Sequence, residues 1–155
     1  MEQIEIVSAG IEDIETLMHW RMEVLHHVFA LPEDADTAEL EQENRRYYEQ
    51  QLPLGGHAAC FARVDGVIVG CGGVCFYDEM PSPDNPNGRC AYLMNVYCRE
   101  AYRRKGVGRV IVRWLVGRAL GQGLRKIYLD TTDRGRKLYQ SAGFEEMKDM
   151  MHIAY

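Results

Sequence analysis

No apolar run in this chain approaches the roughly 18 residues that a membrane-crossing helix needs, and no signal-peptide pattern opens it. The expected setting is therefore the cytoplasm, without a membrane partner. Cysteine is sparse and odd in number: Cys60, Cys71, Cys75, Cys90 and Cys98 are the five, mostly embedded in apolar, strand-like sequence. That pattern excludes a disulfide framework and predicts buried thiols in a reducing compartment. Paired Cys-x-x-Cys and His-x-x-x-His units are missing, so Cys71, Cys75 and His57 do not read as ligands and no metal is expected. Internal repeats, low-complexity tracts and linkers are missing too. Residues 1–155 read as a single domain, long enough to bury a core without staples.

What is present is an ordinary globular composition, 46% hydrophobic and 26% charged, with an uneven distribution of charge. Residues 1–50 carry 13 acidic side chains against three basic ones, and residues 99–126 carry nine basic against the single Glu100. A chain that is acidic as a whole, without interleaved exposed aromatics in its basic segment, points to a small polyanion rather than to nucleic acid.

Periodicity gives the order of elements. Ile4 and Ile6 alternate with Glu5 as a short strand, and apolar residues from Ile11 to about Leu31 recur at helical spacing before Pro32. Asp36 suits the N-cap of a second, charged helix to about Gln51, with Pro53 and Gly55-Gly56 as its stop. His57 to Val64 and Val67 to Tyr77 read as strands joined by a hairpin at Asp65-Gly66. Pro81 to Gly88 is a loop, Cys90 to Cys98 a strand, and Val107 to Leu120 an amphipathic helix. Lys126 to Thr131 is a strand, Arg134 to Ser141 a short helix, and Phe144 to Ile153 a closing strand or strands. The predicted order is β-α-α-β-β-β-α-β-α-β.

Between the Cys98 strand and its helix lies Arg103-Arg104-Lys105-Gly106-Val107-Gly108. A glycine-rich basic turn opening a helix gathers free N–H groups and the positive end of the helix dipole, which suits a phosphate. The turn is not a P-loop, because no Gly-Lys-Ser/Thr follows. Nor is it a Rossmann fingerprint, because the third glycine is missing and no dinucleotide-type half-domain precedes it, although Asp130 lies near the required spacing.

This order and these residues resemble the GCN5-related N-acetyltransferase (GNAT) superfamily over essentially the whole chain. Arg103 to Gly108 fits that family's Arg/Gln-x-x-Gly-x-Gly/Ala signature, Asn95 to Tyr102 resembles the strand and turn before it, and Leu138-Tyr139-Gln140-Ser141-Ala142-Gly143-Phe144 resembles a second hallmark. The resemblance implies an α/β (α+β) fold: a central mixed, mostly antiparallel twisted sheet flanked by helices, with a splayed cofactor-binding strand. It implies acetyl-CoA as co-substrate and a primary amine as acceptor. Val96, Tyr97 and Cys98 would hold the pantetheine arm as an added strand, and the turn from Arg103 through Arg104, Lys105, Gly106, Val107 and Gly108 to Arg109 would hold the pyrophosphate. Thr132 stands where many members carry a cofactor-touching Asn. Similar proteins are often homodimers, and Trp20, Tyr47 and Tyr48 suit either an interface or the core.

The chemistry then needs an acid for the departing thiolate and a route for the amine's proton. Tyr139, a phenol that stays protonated at neutral pH, fits the acid. Asn95 occupies the strand position where many members carry a catalytic Glu, and it can orient a water or the amine without being a base. Glu79, Asp78, His26 and His27 remain candidates for the base. The resemblance places the acceptor against the first two helices and the loop around residues 78–88. An acetyl-CoA sensor with little catalysis is the alternative reading.

Overall fold

The computed structural model describes residues 3–155. Its five strands are β1 (Ile4–Ala9), β2 (His57–Val64), β3 (Val67–Asp78), β4 (Arg89–Cys98) and β5 (Lys126–Leu129). They form one sheet in chain order, antiparallel from β1 to β4 and parallel between β4 and β5. Four helices flank it: α1 (Ile14–Val28), α2 (Ala38–Leu54), α3 (Val107–Gly121) and α4 (Asp133–Ser141). The β2–β3 hairpin turns at Asp65 and Gly66, both at positive φ, with Val64 opposite Val67. Two positive φ values in a two-residue loop match the right-handed twist of the strands they join.

The core lies in two layers because both faces of the central strands are covered. Along β2, Ala58, Cys60, Ala62 and Val64 face one side, where α3 lays Val107, Ile111, Val112, Leu115 and Ala119 over the sheet. Ala59 and Phe61 face the other, where α1 supplies Leu17, Met18, Trp20 and Val24. These helical positions recur every three or four residues, so each helix turns one apolar stripe inward. Burying a large aliphatic side chain such as Ile111 or Leu115 contributes about 1.5–3 kcal/mol. Trp20 and Tyr48 belong to this core, at 4% and 3% exposure, so core packing rather than an interface accounts for them.

The predicted order is reproduced except at its end. Phe144 to Ile153 forms no strand. Its charged run Glu145-Glu146 and Lys148-Asp149 breaks the apolar alternation. Phe144 folds back on Tyr139 with ring centroids 5.9 Å apart, and Glu146 pairs with Arg136. Helix α2 also runs past Gln51 to Leu54 with Pro53 inside its last turn, and Gly55 at φ +76 closes it. The proline-rich loop after β3 is pinned by Asn85, which is 2% exposed and donates to the Arg89 carbonyl at 3.1 Å.

Candidate functional site

The sheet opens between β4 and β5. Their parallel ladder runs from Cys90↔Lys126 to Leu93↔Leu129 and stops there, because β5 has four residues and β4 has ten. Beyond Leu93, β4 keeps β3 as a neighbour and has no strand among the described residues on its other side. Within this stretch β4 bulges: Gly73 faces Met94 and Cys71 faces Tyr97, so Gly72 alone stands opposite both Asn95 and Val96. Asn95 takes φ +60, a conformation that asparagine tolerates better than other residues with a Cβ. A bulge of this kind re-aims side chains and interrupts pairing.

The bulge is held from below. Arg21 on α1 donates through Nη1 to Asn95 Oδ1 at 2.9 Å and through Nε to Asn44 Oδ1 on α2 at 2.8 Å. The Cys71 thiol donates to the Asn95 carbonyl at 3.4 Å. Val96 packs into the α3-side core and Tyr97 into the α1-side core, so what these two residues leave available along the open edge is backbone.

The turn that follows is built from side chains turned inward. Arg99 makes two bonds to the Glu23 carboxylate, at 2.8 and 3.0 Å, and its guanidinium lies 4.3 Å from the Trp20 ring centre. Hydrogen bonding to Arg99 holds Glu23 below the usual carboxylate range, against a smaller opposing effect of burial. Arg103 donates through Nε to the Cys98 carbonyl at 2.8 Å, and its Nη2 lies 3.1 Å from His27 Nε2. Arg104 sits at φ +63 and Gly106, the N-cap of α3, at φ +87 with no side-chain cap. A Cβ on Gly106 would meet nothing within 4 Å, so its conformation, not crowding, is what calls for glycine. The first N–H groups of a helix have no partner inside it, and here no acidic side chain lies in the first turn to answer them.

Across the opening, Thr132 is the N-cap of α4, and Tyr139 on that helix packs against the α3-side core. Burial raises the Tyr139 phenol above its ordinary value. Asn95 thus belongs to the α1–α2 layer through Arg21, and Tyr139 to the α3–α4 layer. The other proposed bases all have structural partners. Glu79 binds Lys126 at 2.7 Å, His26 lies 3.4 Å from the Leu31 carbonyl, and His27 packs edge-on to Tyr97. Asp78, backbone partner of Arg89, ends β3 on the surface.

Sequence reasoning missed three groups here. Arg21 with Asn44 is one. The second is a partly buried polar cluster in which the Tyr47 hydroxyl lies 2.7 Å from His57 Nδ1 and 2.8 Å from Cys75 Sγ. The third is a tyrosine wall, Tyr77, Tyr92 and Tyr128, beside Asp130. None shows in the sequence because each joins residues from different elements. A cleft of about 670 Å³ lies between β5, α4 and the C-terminal segment, and Tyr128, Asp130, Thr131 and Tyr139 are among the residues that line it.

The acetyltransferase (GNAT) family pattern matches residues 18–144. Among solved structures, a predicted acetyltransferase with acetyl-CoA from Clostridium acetobutylicum superposes with a TM-score of 0.86 at 23% identity, covering 98% of this chain and 96% of that one. A GCN5-related N-acetyltransferase from Ralstonia eutropha JMP134 gives 0.81 at 19% identity, over 98% and 99% of the two chains. Glucosamine-6-phosphate N-acetyltransferase from Arabidopsis thaliana gives 0.73 at 19%, over 99% of each. At these identities the likeness is one of fold. No curated protein sequence matches the chain. Because the family pattern runs from within α1 to the residue beyond α4 that packs on Tyr139, this chain belongs to the acetyltransferase (GNAT) family.

Proposed function

We propose that the protein transfers the acetyl group of acetyl-CoA to a primary amine of a small molecule or peptide, by direct attack in a ternary complex. One observation carries the reading: β4 loses its neighbour after Leu93 and leads into a cationic turn whose helix has no side-chain cap. An open strand edge takes an extended amide-bearing arm as an added strand, and an uncapped helix N-terminus takes a pyrophosphate. Coenzyme A presents both, in series.

In this reading the backbone of Val96, Tyr97 and Cys98 binds the pantetheine arm, and the N–H groups from Arg104 through Lys105, Gly106, Val107 and Gly108 to Arg109 bind the pyrophosphate. Arg103 shapes the cradle by holding the Cys98 carbonyl, and Thr132 borders it at the start of α4. Acetyl-CoA supplies an activated acyl group. The neutral amine nitrogen forms a bond to the thioester carbonyl carbon, the C–S bond breaks, the sulfur takes the Tyr139 phenol proton, and the phenolate is reprotonated from solvent. Asn95 orients the amine or a water that carries the amine's proton to solvent. Holding the two substrates together supplies much of the acceleration, and the Val96 N–H is a donor for the developing oxyanion.

The reading further has the protein act in the cytoplasm as a homodimer, with neither nucleic acid nor membrane as partner. Among the described residues no helix is long and apolar enough to cross a membrane. Exposed Met147, Met150, Met151 and Ile153 beside the unpaired edge of β5 suit a second copy.

The test is calorimetric titration with acetyl-CoA, followed by thiol release in the presence of an amine library. Binding with acceptor-dependent release supports the transferase. Binding without release from any amine favours a sensor, and no binding at all overturns both.

A further inference from the structure

The transferase reading leaves the acceptor's site open, and the tyrosine wall lies beside the splay, on the sheet face opposite α3. Tyr92 and Tyr128 are partners in the β4–β5 ladder, one step before its last pair. Ala91 and Leu93 face the α3-side core, so Tyr92 points to the opposite face, that of α1 and α2. Its ring lies 5.1 Å from that of Tyr128, tilted by 56°, and Tyr77 extends the wall onto β3 with its ring 6.4 Å from Tyr128. The Tyr77 and Tyr128 hydroxyls are hydrogen-bonded to each other. Neither buried core contains any of the three rings.

At the end of this wall nearest the splay stands Asp130, the first residue after β5. Its Oδ2 accepts a hydrogen bond from the Tyr92 hydroxyl at 2.5 Å. Asp130 is exposed, and no Lys or Arg among the described residues forms an ion pair with it. The opposite end carries Lys126, whose Nζ lies 5.6 Å from the Tyr128 ring centre and is already paired with Glu79. A cation on the wall is drawn to the negative faces of the rings and to Asp130, and is repelled from the Lys126 end.

We propose that Asp130, Tyr92 and Tyr128 form the subsite that receives the acceptor, and that the acceptor is a cationic amine with no acidic group beside it. The subsite rests on the transferase reading for its role. It rests on the structure for its chemistry: aromatic faces, one carboxylate free of ion pairing, and a position at the point where β4 and β5 part. Asp130 binds an ammonium group of the acceptor other than the nitrogen that reacts, and Tyr92 fixes the carboxylate. Thr131 and Thr132 link this subsite to the helix that bears Tyr139.

The test uses the intact protein, its D130N and Y92F variants, and three probes: spermidine, kanamycin and glucosamine 6-phosphate. Steady-state thiol release and calorimetric binding of each amine in the presence of CoA are measured side by side. At least one of the two cationic probes is expected to bind and be acetylated with a KM at least tenfold below that of glucosamine 6-phosphate. D130N is expected to raise that KM roughly 10- to 100-fold, the loss expected for a charged hydrogen-bonding partner, with kcat within a few-fold and the Kd for acetyl-CoA within twofold. Y92F is expected to give a smaller rise in KM. A cation that binds through Asp130 to a protein without turnover upholds the subsite and overturns the transferase reading. Turnover that D130N leaves unchanged, preference for the phosphorylated amine, or no binding of either cation overturns the subsite.

Discussion

Arg21 reaches from α1 into the β4 bulge, where its Nη1 donates to the Asn95 side-chain oxygen at 2.9 Å while its Nε donates to Asn44 at 2.8 Å. One guanidinium therefore ties α1 and α2 to the bulge of β4. The planar fork serves two acceptors in different directions, which a lysine ammonium does not reproduce. R21A leaves two side-chain oxygens without donors and removes the brace on a left-handed residue. The expected cost is about 1–3 kcal/mol, read as a fall of several degrees in Tm. A fall in kcat of at least tenfold with little change in Kd for acetyl-CoA is expected alongside. R21K restores neither the stability nor the turnover. Full activity in R21A overturns the idea that the bulge geometry matters to the reaction.

Tyr139 is expected to act through its hydroxyl alone. In Y139F the ring still packs on Phe144, so Tm should move by a degree or two and acetyl-CoA binding by less than twofold. Turnover should fall at least tenfold, because the departing thiolate loses its proton donor. Burial raises this phenol above its ordinary value near 10, so the acid form persists through neutral pH and well into the alkaline range. The wild-type kcat profile should show no loss from this group below about pH 10. An alkaline limb near pH 8 that Y139F abolishes would contradict the direction of that shift.

Much of this molecule was legible in the order of its residues, and the reason is local. The strand, glycine turn and helix from Asn95 to Leu120 are contiguous, so their composition carries both the turn and its charge. The bulge was not legible, because it arises only when Gly72 of β3 is set opposite two residues of β4. Asn95 read as a missing base. In the structure it is also a residue suited to φ +60, so the same substitution answers a backbone demand. Tyr92 and Asp130 lie 38 positions apart, and only the parallel register of β4 and β5 makes them neighbours. The closing strand failed because the charged run Glu145-Glu146 and Lys148-Asp149 interrupts the apolar residues after Phe144, and the free edge of β5 stays unpaired.

Gly106 is the cheapest place to separate the cradle from the fold. At φ +87 it caps α3, and an alanine there would pay the left-handed penalty of about 1–2 kcal/mol while its Cβ met no neighbour. The turn is expected to relax toward negative φ and turn its N–H groups away from a common point. G106A should then weaken acetyl-CoA binding at least tenfold in calorimetry, with Tm lowered by only a few degrees. A larger stability loss with unchanged binding would show the glycine to be structural.

His57 gives the molecule a pH dependence that is separate from catalysis. The ring is 6% exposed and edge-on to both Tyr47 and Tyr48, with the Tyr47 hydroxyl at its Nδ1. Burial, aided by the nearby Arg21 charge, pushes its pKa down to about 4 from the ordinary 6.5. Between those two values the unfolded chain binds a proton that the folded chain does not, so stability rises with pH across that window. Stability from this source is complete above about pH 6.5 and is lost progressively toward pH 4, by about 3 kcal/mol in all. Denaturant titration of the wild type at pH 7.0, 5.5 and 4.5 should show that decline. In H57F the pH 7 stability is lower, because the Tyr47 hydroxyl loses a partner, but the fall between pH 6.5 and 4.5 should be markedly shallower. Parallel curves for the two proteins would mean that other groups govern acid sensitivity and that the ring is less shielded than its packing against two tyrosines requires.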